Sequence, residues 1–108
     1  MEFHEIAKRF EMSESGTDSF KRFYKDTFLL MKSDPGNSAV YFVVAIAARL
    51  YVHRYEDLAV DLATADYAKN KIVEFNNKII QSLSLGAQER LIAIGEIAYD
   101  YEWNVESF

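Results

Sequence analysis

His53, Glu56, Asp57 and Asp61 fall within nine residues, at spacings that share one face of a helix. An imidazole beside carboxylates is the raw material of a divalent-metal site. A carboxylate-bridged metal centre inside a helical bundle needs more: several inward acids, and usually Glu-x-x-His pairs on separate helices. Here the order is His-x-x-Glu, it occurs once, and His4 lies in an unrelated segment. Arg54 shares the stretch, so a solvated charged face accounts for it better, and no metal or other cofactor is expected. Nucleophilic catalysis lacks its parts as well. There is no cysteine, neither histidine stands in a recognisable serine or aspartate context, and nothing reads as a strand–turn–helix elbow. Gly16 and Gly36 lie in turns unlike a phosphate-binding loop. Glu96 and Asp100, one helical turn apart, are ordinary for an acidic chain. The residues argue against an enzyme.

The end of the chain is chemically different from the rest. The segment from Leu91 to Phe108 carries Glu96, Asp100, Glu102 and Glu106 and no lysine or arginine, whereas Met1 to Arg90 holds thirteen acids against twelve bases. Four of the five net negative charges therefore sit there, interleaved with Tyr99, Tyr101, Trp103 and Phe108. Tyrosine and tryptophan bury large areas with little loss of rotamer freedom and dominate interface hot spots. Carboxylates beside them steer a basic partner and then pair with its cations. The residues assigned to partner binding are Glu96, Tyr99, Asp100, Tyr101, Glu102, Trp103 and Glu106. The competing role is structural, with Tyr101, Trp103 and Val105 folded back on the core as a staple. Acids at a helix C-terminus oppose the macrodipole, which favours a use outside folding. A second acidic run, Glu56, Asp57, Asp61 and Asp66, would extend this surface if folding brought the two together.

Helical periodicity runs through the elements that must hold these groups. Phe3, Ile6, Ala7 and Phe10 make one face of a helix over Glu2–Met12. After Ser13-Glu14-Ser15-Gly16, Thr17 or Asp18 is placed to cap a second helix reaching about Lys32, with Phe20, Phe23, Tyr24, Thr27, Phe28 and Met31 inward. Ser33-Asp34-Pro35-Gly36-Asn37 stops it, and Asn37 or Ser38 can cap the third helix. Ala39 to about Arg54 is apolar nearly all round, as in a helix covered on most sides. Val44, Tyr51, Leu58, Ala65, Ile72 and Ile79 then recur every seven residues, which allows one long bent helix. A break or kink near Ala63–Asp66, with Asp66 as the new cap, suits a small domain better. Gly86 reads as a helix stop, and a last helix spans about Ala87–Tyr101 with Leu91, Ile94, Ala98 and Tyr101 on one face. Small Ala93, Gly95 and Ala98 would admit a close neighbour. The fold class expected is all-α: residues 1–108 as a single compact bundle of five or six helices with an apolar central helix.

Length and composition agree with a soluble globular domain: 108 residues, 50% hydrophobic and 27% charged, with a net charge of −5. The absence of cysteine fits a reducing compartment. The N-terminus has no basic region followed by an apolar run, and the apolar stretch Ala39–Val52 is short of the ~20 residues of a membrane span. The cytoplasm is the expected location. Lys21, Arg22 and Lys25, and Lys69, Lys71 and Lys78, are each offset by nearby acids, so neither nucleic acid nor membrane is expected as a partner.

In size, acidity, helicity and the stretch EIAYDYEWNVE from Glu96 to Glu106, the chain resembles bacterial immunity proteins, including those of contact-dependent growth inhibition systems. That resemblance implies a stoichiometric inhibitor of a basic toxin domain, commonly a nuclease, acting by occlusion of its active site. The alternative is a helical regulatory or adaptor subunit, or a homo-oligomeric phage or bacterial protein, with the seven-residue seam as its helix-pair interface. Acids interrupted by twelve bases are too sparse for a mimic of DNA.

Overall fold

A computed structural model describes residues 1–105 and 108. Five helices succeed one another with no strand among the described residues: α1 (Phe3–Glu11), α2 (Thr17–Ser33), α3 (Ser38–Tyr55), α4 (Leu62–Leu83) and α5 (Ala87–Trp103). A single 3-10 turn at Pro35–Asn37 separates α2 from α3. The radius of gyration is 13.1 Å, against about 13 Å for a compact chain of this length.

Helix α1 starts with a reciprocal capping box, in which Glu5 accepts from the Glu2 amide at 3.1 Å. It buries Phe3, Ile6, Ala7 and Phe10, the four residues that its spacing aligns. Their aromatics meet those of α2 and α3: Phe10 lies edge-on to Phe20 at 5.0 Å, and Phe20 stacks on Tyr51 at 4.3 Å. Such pairs add about 0.5–1.5 kcal/mol beyond the area they bury. Helix α3 runs through the middle, touching α2, α4 and α5, and buries Val40, Tyr41, Val44, Ala45, Ala47, Ala48, Tyr51 and Val52. Cover is incomplete: Ala39, Phe42, Leu50 and His53 stay exposed along one stripe. The continuous helical run Pro35–Tyr55 has the length and apolarity of a membrane-crossing helix, as the central helix of a packed bundle also does.

Tertiary packing displaces the local signals at several boundaries. Gly16 is the N-cap of α2 without a side-chain bond, and Asp18 instead sits in the first turn, where it complements the macrodipole. Asn37 precedes α3 without capping it, because its amide donates to Asp34 at 3.0 Å. That same carboxylate accepts from the Tyr41 hydroxyl at 2.5 Å, and the two bonds hold Asp34 below the usual carboxylate range. Burial, then the bond to Asp34, pushes the Tyr41 phenol well up. Gly86 is the N-cap of α5 at φ −91°, not a left-handed stop.

The seven-residue seam is not one helix. It breaks over Glu56–Asp61, earlier than Ala63–Asp66, and Asp61 rather than Asp66 caps α4 by accepting from the Thr64 amide at 2.7 Å. Asp57 takes φ 67°, a left-handed conformation that aspartate tolerates better than most residues. Leu58, the seam residue at the break, is 63% exposed. The other five seam residues are buried.

Candidate functional site

Helix α5 lies against α3 and α4 and leaves its other side open. At 100° per residue, Ala93, Ile97 and Tyr101 point one way and Ile92, Glu96, Tyr99 and Trp103 point roughly the opposite way. Burial matches this division. Ala93 and Ile97 are buried, Ile94 and Tyr101 are partly covered, and Tyr99 and Trp103 are 65% and 73% exposed. The expected inner face, Leu91, Ile94, Ala98 and Tyr101, is thus off by a fraction of a turn: Leu91 and Ala98 are exposed. Ala93 is the small residue at the packed face. Gly95 faces open space, so neither it nor Ala98 serves a close approach.

The acidic residues of α5 separate in the same way. Asp100 is drawn inward, 3.5 Å from the Lys71 ammonium of α4, and accepts from the Asn104 amide at 3.0 Å. Burial alone would lower the pKa of Lys71, but Glu74 and Asp100 more than reverse it and the net shift is upward. Glu96 lies 3.7 Å from Lys78, a longer and more exposed pair. Glu102 is exposed, and no cation pairs with it among the described residues. Ile92, Gly95, Glu96, Tyr99 and Asp100 line a shallow groove of about 540 Å³ against Glu74 and Lys78 of α4.

An outward ridge and a staple are therefore both present, on different residues. Tyr101 is the staple: its ring meets Phe108 edge-on at 5.6 Å, and Phe108 meets Tyr51 at the same distance. Burial pushes its phenol up, Glu102 adds to this, and Arg54 opposes it. Val105 also packs on the core. Trp103 does not belong with them. Of the residues assigned from sequence, Glu96, Tyr99, Glu102 and Trp103 form an outward ridge, Asp100 is engaged by Lys71, Tyr101 is structural, and Glu106 lies outside the described residues.

The second acidic run is not a helix face. Glu56 is bound by Lys21, Asp57 sits in the break, Asp61 caps α4, and Asp66 accepts from Ser15 Oγ at 2.7 Å. These residues nevertheless lie at the end of the bundle to which α5 delivers its C-terminus. Lys69 donates to the Ser13 carbonyl, tying the α1–α2 turn to α4, and Phe108 joins Tyr101 of α5 to Tyr51 of α3. At this end a groove of about 650 Å³ is lined by Glu14, Ser15, Gly16, Thr17, Tyr51, Leu58, Val60, Leu62 and Ala65. Sequence reasoning misses it because Leu58 fits the seam and so reads as helical.

Compared with protein families, curated proteins and solved structures, the chain matches none. Its chemistry must be read from its own surface.

Glu2, His4 and Glu5 are the described residues close enough to hold one ion, and all three are exposed. Glu2 and Glu5 are already the two halves of the α1 capping box, which explains their proximity. His53, Glu56, Asp57 and Asp61 do not converge as a ligand set among the described residues.

Proposed function

We propose that the chain is a non-enzymatic binding protein of the immunity type, which acts in the cytoplasm and inhibits a cognate basic toxin, a nuclease domain being the expected class, by occluding its active site. The observation that carries this reading is the ridge of α5, where exposed Tyr99 and Trp103 stand in line with Ile92 and beside Glu96 and Glu102. Exposed aromatics interleaved with acids suit a cationic protein surface and repel phosphates. The mechanism is steric and electrostatic: Glu102 and Glu96 pair with cations that the toxin uses for its substrate, while Trp103 and Tyr99 fill apolar pockets.

The test is capture with the tagged protein from its source lysate at low and moderate salt, then assay of the captured protein for nuclease activity with and without the chain. Glu102→Lys is expected to slow association, and Trp103→Ala to speed dissociation, each by about tenfold or more. Asp100 is a poorer probe, since its loss also unpairs Lys71. A captured partner that stays fully active in the complex, or binds both variants as well as the parent, rejects the reading.

A second reading, a helical adaptor or homo-oligomer, is favoured by the exposed Phe42 and Leu50 on α3. Sedimentation separates the two. A stable homodimer, insensitive to salt and broken by Leu50→Glu, selects the second.

A further inference from the structure

The groove at the α1–α2 and α3–α4 turns combines two features that are uncommon together. Its interior offers Leu58, Val60, Leu62, Ala65 and the edge of Tyr51. Single exposed leucines need no explanation, but Leu58 and Leu62, at 63% and 72% exposed, line the same depression. Glu14 lies in its wall, and Asp57, Asp61 and Asp66 flank the leucines in sequence.

None of these four carboxylates has a cationic partner among the described residues. Of the cations nearby in the fold, Lys21 is paired with Glu56, while Lys69 donates to the Ser13 carbonyl and Arg22 to Ser13 Oγ at 3.0 Å, so these two offset the four acids only in part. The acids leave this end of the bundle with a net negative charge, which attracts an incoming cation. A lone metal ion would use the acids and leave the leucines idle. An apolar ligand would do the reverse.

The walls are braced, because the bonds from Ser15 to Asp66 and from Lys69 to Ser13 tie the α1–α2 turn to α4, and the pair of Lys21 with Glu56 ties α2 to the α3–α4 turn. Little ordering would be needed on binding.

We propose that this groove is a docking site for an extended segment of a partner protein in which an apolar side chain is flanked by lysine or arginine. The apolar side chain seats among Leu58, Val60 and Leu62, and the flanking cations meet Glu14, Asp57 and Asp66. The inference rests on reading the chain as a binder of a basic protein, and it adds a second grip at the end of the bundle, apart from the α5 ridge.

The probe is a nine-residue peptide alternating lysine and leucine, titrated into the full ¹⁵N-labelled chain. Saturable amide shifts are expected at residues 14–17 and 58–65. The doubly changed Leu58→Ser, Leu62→Ser protein should bind about tenfold more weakly, as should Glu14→Gln, Asp57→Asn, Asp66→Asn. Asp61 is left alone because it caps α4, and circular dichroism checks that both variants fold. The peptide with glutamate for lysine should not bind. No saturable shift, unchanged affinity in either variant, or equal binding of the glutamate peptide overturns the proposal. Shifts confined to residues 92–103 also overturn it, yet leave the ridge reading standing. Failure of the ridge reading is seen separately, as indifference of the natural partner to Trp103→Ala.

Discussion

Phe20 and Trp103 are large aromatics on helices of equal length, seventeen residues each, and the fold treats them in opposite ways. Helix α2 lies between α1 and α3, so Phe20 is enclosed by Phe10 on one side and Tyr51 on the other. Helix α5 has neighbours on one side alone, and it presents Ala93 and Ile97 to them while turning Tyr99 and Trp103 outward. The difference is one of placement. In α2 the aromatics Phe20 and Phe23 occupy the face the core requires; in α5 Ala93 and Ile97 occupy it, and Tyr99 and Trp103 are left exposed.

The largest expected effect is at the enclosed end of this contrast. Phe20→Ala removes a fully buried ring and its stacking on Tyr51, a loss of about 3–5 kcal/mol. Since domains of this size are stable by about 5–15 kcal/mol, the variant should be close to unfolded on warming. Chemical denaturation monitored by circular dichroism measures this. A loss below about 1 kcal/mol would mean that the aromatic cluster of α1–α3 is not the centre of the fold.

A second prediction concerns a flaw inside the well-packed region. Asn76 of α4 is 2% exposed, and neither its amide nitrogen nor its amide oxygen has a partner among the described residues. Thr27 Oγ1 of α2 is in the same position. An unpaired buried polar group costs about 1–3 kcal/mol, while leucine keeps the branched shape of asparagine with nothing to satisfy. Asn76→Leu is expected to raise the thermal midpoint by several degrees. A fall instead would show that the amide is bonded in solution and that the interior around α4 is wetter than that around Phe20.

The same contrast explains what was legible in the sequence. The faces of α1 and α2 could be read because their apolar residues recur at helical spacing and are large enough to fix the orientation. In α5 apolar residues lie all round the helix, with Leu91, Ile92, Tyr99 and Trp103 exposed and Ala93 and Ile97 buried, so spacing alone does not decide which face turns inward. The heptad from Val44 to Ile79 is periodic across a real break because a loop residue, Leu58, falls on the count by spacing alone. Nothing as strong as proline or glycine marks that break. The cap that defines it, Asp61, competes in sequence with Asp57 and Asp66, and only the bond to Thr64 decides among them. The acidic aromatic segment was legible as chemistry, but its division into staple and ridge depends on which side of one helix each residue falls.

The smallest expected effect, on stability, is at Trp103 itself. With the indole 73% exposed, Trp103→Ala removes little buried surface, and the change should stay within about 0.5 kcal/mol. The parent supplies a second readout, because Trp103 is the sole tryptophan. Its emission should already resemble that of indole in water, should be quenched readily by iodide, and should shift little when the chain unfolds. A blue-shifted, protected emission would place the indole against the core with Tyr101 and Phe108. The two aromatics of the contrast would then be doing the same job, and α5 would have no ridge to offer. A red-shifted emission that moves to the blue on adding a partner would do the opposite. It would show the same side chain, idle in folding, taking up at an interface the burial that Phe20 finds in the core.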